Sequence, residues 1–459
     1  MIFQPEQLLT YSLLRAPRGI DICRIMAGVI NRANAADVIQ KHITCDATHL
    51  IVNNTSFDLR KFQRIFVIGA GKACVPMSIA LEKILKDKIT SGLVITKDGY
   101  VDLEYSSLGS KIKILIASHP LPDQRNIQAA SKLISFLSNI NRYDLVIMLL
   151  SGGGSSLLMF PAPGISLQDI QITTSILLRS GTSINEINTI RKHLDLFKGG
   201  GLIKFIPAST VISLIISDVV GDSLDVIASG PTVADPTTFT DAWNILHKYQ
   251  VIDKIPSRVR AHFYNGIKSK IEDTIKPGDP LLSNVTNLIV GNNTEAINNA
   301  ENIAQLLGFN TIVITTSLQG EASQIGKTIA NDVKNMFWSS SKISRPACLI
   351  AGGETTVTVT GTGKGGRNQE FALGAVNELS GSDQIIISSL STDGGDGPTD
   401  AAGAVVTNET YLRGLSIGLD PNEFLLNNDS YHYFNSLGDL IRTGPTLTNV
   451  NDLVFIFCL

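Results

Sequence analysis

The chain has 459 residues, of which 43% are hydrophobic and only 17% charged, so it can fill buried cores and lacks the composition of a disordered protein. A formal net charge of −3 without any Lys/Arg block excludes the electrostatic footprint of a nucleic-acid binder. The length exceeds one ordinary core, and two domains are expected, at 1–280 and 281–459.

The five cysteines, Cys23, Cys45, Cys74, Cys348 and Cys458, are odd in number, scattered, and contain no CxxC pair. Neither a disulfide framework nor a zinc site is indicated, and Cys74 reads as a small buried hydrophobe. The N-terminus lacks a basic segment followed by a long apolar one, and no stretch approaches the ~18 apolar residues of a membrane span. A cytoplasmic protein with no membrane partner is expected.

The first forty residues read as helical. The runs RIFVIGAGKA (64–73), SGLVITK, KILIASHP, DLVIMLLSGGGSS and TVISLIISD are near-continuously apolar and end in glycine or polar residues. Such runs predict βα units around a larger, Rossmann-like, mostly parallel sheet flanked by helices on both faces. The stretch from Asn185 to Phe205 is expected to carry a long helix that runs into a stop at Gly199-Gly200-Gly201. IKPGDPLLSN (275–284) is the clearest linker. Beyond it NLIVGNN, a helix near 294–307, TIVITT, a helix near 320–337, PACLIAGGETTVTV, QIIISSLSTDGGDG and DLVFIFCL predict a smaller C-terminal α/β domain. SSSKIS (339–344) and NNTSF (53–57) read as loops.

In a doubly wound sheet, ligands bind beyond the carboxyl ends of the strands, so the residues after each run are the candidates. Gly69-Ala70-Gly71-Lys72 allows close backbone approach and adds a cation. It is half of a dinucleotide fingerprint, with Cys74 at the third glycine position. Ser151-Gly152-Gly153-Gly154-Ser155-Ser156 can wrap N–H groups and hydroxyls around an anion. Ser118 and His119, in a loop stiffened by Pro120 and Pro122, are either substrate contacts or structural.

Asp218 and Asp222, after TVISLII, could hold a hydrated Mg ion or serve as a cap and a turn residue. Gly352-Gly353-Glu354 and the segment from Gly361 to Glu370, with Lys364, Gly366, Arg367 and Asn368, predict a flexible cationic loop suited to a polyphosphate. Asp393 and Asp396, among glycines, carry oxygens that suit Mg or Ca but lack the EF-hand pattern.

Taken in order, GAGKA (69–73), SHPLPDQRN (118–126), SGGGSSL (151–157), RKHLDLFKGGGL (191–202), SDVVGD (217–222), IASGPT (227–232), GGETTVTV (352–359), GGRNQE (365–370), STDGGDGPTDAAGA (391–404) and TGPTLTNVNDL (443–453) resemble the class II glycerate kinase family, whose C-terminal half is the MOFRL domain. The resemblance spans nearly the whole chain. Gly201 departs from it, where many relatives carry a larger residue. The resemblance implies ATP and Mg2+ as cofactors, D-glycerate as acceptor at its 2-hydroxyl, 2-phosphoglycerate as product, and a monomer or homodimer. It further implies Lys72 and Arg367 as catalytic cations facing one another across an interdomain cleft. Gly71, Ser118, His119, the 151–156 loop, Lys198, Glu354, Gly366 and Asn368 would bind substrate or phosphate, with Asp218, Asp222, Asp393 and Asp396 as metal or proton acceptors. Two rivals remain: a nicotinamide-dependent hydroxypyruvate reductase, weakened by the incomplete fingerprint and by Lys97 before Asp98, and a non-enzymatic small-anion binder.

Overall fold

The computed structural model describes residues 3–100, 110–207, 210–338, 344–382 and 384–459, without the side chains of 337 and 338. The chain divides into two compact units, one of residues 35–290 and one of residues 1–34 together with 291–459.

The first unit opens with a small antiparallel sheet of β1 (Ile43–Cys45), β2 (His49–Val52) and β3 (Thr55–Asp58). The expected loop at 53–57 is therefore partly strand. The main sheet contains β4 (Ile65–Ala70), β5 (Ile89–Lys97), β6 (Ile112–Ala117), β7 (Leu145–Leu150), β8 (Thr210–Ile216) and β9 (Val285–Gly291), in spatial order β6-β5-β4-β7-β8-β9. β6, β5, β4, β7 and β8 pair in parallel.

The chain runs outward from β4 to β6 and then returns to lay β7 beside β4. That reversal is the topological switch point of a doubly wound sheet, and it sets the loops after β4 and β7 side by side. Both strands are buried at every position, as strands covered on two faces must be. On one face Phe66, Ile68, Val146 and Met148 share a core with Ala130 and Leu133 of the helix Gln124–Leu137. A second apolar cluster lies among the helices Leu167–Arg179, Ile184–His193, Phe239–Lys248 and Ser257–Ile267.

The second unit is built on a mixed sheet of β10 (Asn310–Leu318), β11 (Ala347–Gly353), β12 (Ile385–Ser391), β13 (Gly403–Thr407), β14 (Leu440–Ile441) and β15 (Asp452–Cys458), in order β10-β11-β15-β12-β13-β14. β10 and β11 are parallel, and the other pairs are antiparallel. The terminal strand is thus a central one, buried at all seven residues. The helix Arg367–Leu379 is buried from Asn368 to Val376. It lies close to the helix Ala322–Trp338 through reciprocal glycines: a Cβ on Gly326 would stand 2.0 Å from Phe371 O, and one on Gly374 would stand 2.1 Å from Ser323 O.

Three expectations change. Residues 1–34 belong with the C-terminal unit rather than with 35–280, because they dock on it: Ser12 N and Oγ each donate to Asp439 at 2.8 Å, and the Arg18 guanidinium stacks 3.9 Å from the Phe309 ring. The boundary falls at 290/291, since Pro277–Pro280 is a loop inside the first unit that leads into β9. The helix expected at 185–205 ends at His193, where Asp195 turns back to bond Phe197 N at 2.9 Å. The expected loop at 339–344 lies almost wholly outside the described residues.

Candidate active site

In the first unit the loops after β4 and β7 are laced together. Lys72 N donates to Gly152 O and Ala73 N to Ser151 Oγ, each at 2.9 Å. Gly71, at φ +147°, lies so close that a Cβ would stand 2.1 Å from Ser151 Oγ. At Gly153, φ +83°, a Cβ would meet the His119 ring at 3.0 Å and the Lys72 stem at 3.4 Å. Lys72 and His119 therefore border the same glycine. The N–H groups of Gly152 and Gly153 find no acceptor among the described residues. Two unfilled donors beside the stem of a lysine and a histidine ring are groups that an anion could occupy.

The surroundings hold this loop in place. Asn126 is fully buried and uses its whole amide: Oδ1 accepts from Ser118 N (3.1 Å) and Asp123 N (2.9 Å), and Nδ2 donates to Ser118 O (2.9 Å) and Ser156 O (2.8 Å). It ties the His119 loop to the serine loop. Ser155 Oγ lies 2.7 Å from Ser229 Oγ, whose segment places two non-glycine residues, Ala228 and Ser229, at positive φ. Such backbone strain concentrates at functional sites.

Several expected ligand groups prove to be supports. Ser151 is fully buried, and its hydroxyl serves Ala73 N. Ser156 is buried with its hydroxyl on Gly153 O. Lys198 is buried with its ammonium spent on Ser155 O (2.8 Å), Leu158 O (3.0 Å) and Asp195 (2.9 Å), a strut beneath the loop rather than a group facing a ligand. Cys74 is buried, which pushes its thiol up to about 12, so it is unreactive.

In the second unit Arg367 is the first residue of its helix and joins two carboxylates, Asp452 on two nitrogens and Glu354, just after β11, on a third. Burial works against its charge, yet Asp452 and Glu354 prevail and raise its pKa. Two of its five N–H donors remain for a ligand. Asp452 was invisible as a partner because it reads simply as the start of the terminal strand. Asn368 is buried, its side chain on Ser389 Oγ at 2.6 Å, so it does not face a ligand.

The glycines of 361–366 are explained by packing. Cβ atoms on Gly361 and Gly363 would stand 2.3 and 2.5 Å from Asn427 O, and one on Gly366 would stand 2.3 Å from Asp396 Cγ. Lys364 stacks over Tyr431 at 4.3 Å. The loop expected to be flexible is packed against Asn427, Asp429 and Asp396.

The metal candidates separate in the same way. Among the described residues no group of three or more His, Cys, Asp or Glu is placed to hold an ion. Asp396 caps the Arg367 helix, both its oxygens occupied by Asn368 N (3.0 Å), Gln369 N (2.9 Å) and Gln369 Nε2 (2.9 Å), and burial raises its pKa to about 6. Asp218, Asp222 and Asp393 stay partly accessible at strand ends. Asp393 Oδ1 accepts from Ser391 Oγ (3.0 Å) and Gly395 N (2.9 Å), while Asp218 and Asp222 lie in the other unit.

A family model described as a domain of unknown function, DUF4147, matches residues 21–264, and the MOFRL family model matches residues 347–452. A glycerate 2-kinase of Pyrococcus horikoshii is 40% identical over 432 residues, covering 94% of this chain and 95% of that protein. The crystal structure of a glycerate kinase from Thermotoga maritima aligns with a TM-score of 0.81 and 38% identity, covering 96% of this chain and all of that one. A protein of Agrobacterium vitis provisionally named hydroxypyruvate reductase is 38% identical over 412 residues, covering 89% of this chain and 90% of that protein. On this combination of sequence, fold and length, the chain belongs to the glycerate kinase family with a C-terminal MOFRL domain.

Proposed function

We propose that the protein is an ATP-dependent kinase that transfers the γ-phosphoryl group to the 2-hydroxyl of D-glycerate, giving 2-phosphoglycerate and ADP. The observation that carries this reading is the pair of unfilled N–H groups on Gly152 and Gly153, bordered by Lys72 and His119. Phosphoryl transfer spreads charge over equatorial oxygens and asks the protein for positioning and fixed donors rather than for a nucleophile. Gly152 and Gly153 N–H groups hold an anionic group, Lys72 supplies the compact charge beside them, and His119 adds a directed polar contact. In the second unit, the two remaining donors of Arg367 suit a phosphate group. Magnesium, when bound, would neutralise polyphosphate charge, and either Asp218 and Asp222 of the first unit or Asp393 of the second would be the carboxylates to hold it.

A reductase would need a dinucleotide fingerprint, but the third glycine position is the buried Cys74, packed with its thiol on Leu149 O at 3.2 Å, and β5 closes on Lys97. ADP release dependent on D-glycerate and abolished by EDTA tests the kinase and its metal together. NADH oxidation with hydroxypyruvate, in place of ADP release, would reverse the reading. Among the described residues no helix is long and apolar enough to cross a membrane. Five free cysteines support a reducing, cytoplasmic setting. A monomer or homodimer is the expected state, which sedimentation would check.

A further inference from the structure

A guanidinium withdrawn from water needs a partner, because an uncompensated buried charge is strongly destabilising. The neighbouring lysines obey this rule. Lys192 Nζ lies 3.1 Å from Asp225 and 3.4 Å from Asp235, and Lys198 is held by Asp195 and two carbonyls. Arg191, in the last turn of the helix Ile184–His193, does not. Its side chain is partly buried, and among the described residues it makes neither a hydrogen bond nor an ion pair.

Burial lowers its pKa, and the charge of Asp195 only partly opposes this. Arg191 in turn acts on the Lys198 ammonium, so the three charges stand within electrostatic reach of one another. The Asp195 carboxylate is already taken, by Lys198 at 2.9 Å, Phe197 N at 2.9 Å and Phe160 N at 3.3 Å. Lysine and aspartate cancel, and the arginine's charge is left over. Lys198 also reaches Ser155 O, so the surplus charge is one ion pair away from the serine–glycine loop with its two unfilled donors.

We infer that Arg191 binds the carboxylate of the acceptor, glycerate; this rests on the kinase reading. The carboxylate is the acceptor's one fixed charge, a planar two-oxygen group that a guanidinium meets with two parallel N–H donors.

The test compares wild type, R191Q and R191K as full chains, by steady-state kinetics and by calorimetry with D-glycerate, with glycerol as the acceptor lacking a carboxylate. R191Q is expected to raise KM for D-glycerate on the order of 10²-fold, to leave KM for ATP within about twofold, and to erase the preference for glycerate over glycerol. R191K should recover part of the loss, keeping charge without the fork. Ligand-free R191Q should unfold at the same urea concentration as wild type or a higher one, because no internal hydrogen bond is removed and an uncompensated charge is. An unchanged KM for glycerate, a rise confined to ATP, or a lowered urea midpoint overturns the assignment while leaving the kinase intact. Wild type that neither binds nor phosphorylates D-glycerate overturns both.

Discussion

Two glycine-rich loops read alike in the sequence, Ser151–Ser156 and Gly361–Arg367, and the structure uses their glycines for opposite ends. In the first, Gly153 gives room to Lys72 and His119 and leaves donors unfilled. In the second, Gly361, Gly363 and Gly366 let other backbone and carboxylate groups press close, and the loop is filled by protein. A missing side chain makes space in either case. What occupies that space, ligand or protein, is decided by segments distant in sequence.

The widest separation between the loops should appear in their lysines. Lys72→Ala should lower kcat/KM by on the order of 10³-fold or more with the fold intact by circular dichroism, whereas Lys364→Ala, losing a stack on Tyr431, should change it only a few-fold. Equal effects would collapse the distinction.

Lys198 comes next. As a strut it forms a buried ion pair, and Lys198→Met should cost about 3–5 kcal/mol in urea unfolding by breaking that pair and leaving Ser155 O and Leu158 O without their donor. A variant of normal stability with only a raised KM would return Lys198 to the ligand-facing set.

Gly153→Ala and Gly366→Ala sharpen the comparison at smaller scale. The first should cost about 1 kcal/mol of stability but about 10²-fold in turnover, as the His119 ring and Lys72 shift. The second should cost about 1–3 kcal/mol of stability and little turnover per folded molecule.

The smallest effect is a pH slope. Burial raises the Glu370 carboxyl from its ordinary 4.5 to about 7. The folded protein then keeps a proton that the unfolded chain releases, so this contribution is full below pH 4.5 and is lost as pH rises through about 7. Glu370→Gln should flatten that decline in urea midpoints measured from pH 4.5 to 8, with Asp396 supplying the lower part that remains.

The strands and the loops that follow them were legible because each is a local pattern: a buried run, then glycine. IFVIGA and LVIMLL fixed β4 and β7, but that β7 returns to lie beside β4 is a pairing that no local run states. The partners were not legible. Asp452 meets Arg367 across 85 positions, Asp396 caps a helix that begins 29 residues before it, and Asn126 fastens a loop 30 residues away. Capping and ion pairing between segments leave no periodic trace. The docking of residues 1–34 on the later unit is hidden for the same reason, since an amphipathic helix states that it has a partner but not which one. Arg191 lay inside a quoted motif, yet only the absence of a neighbour singles it out.

The most direct test of the kinase account is the product of D-glycerate and ATP read through enolase, with and without phosphoglycerate mutase. Signal without mutase is the predicted result, because transfer to the 2-hydroxyl yields enolase's own substrate. Signal only with mutase would place the phosphate on the 3-hydroxyl, and no signal in either arm would contradict the account.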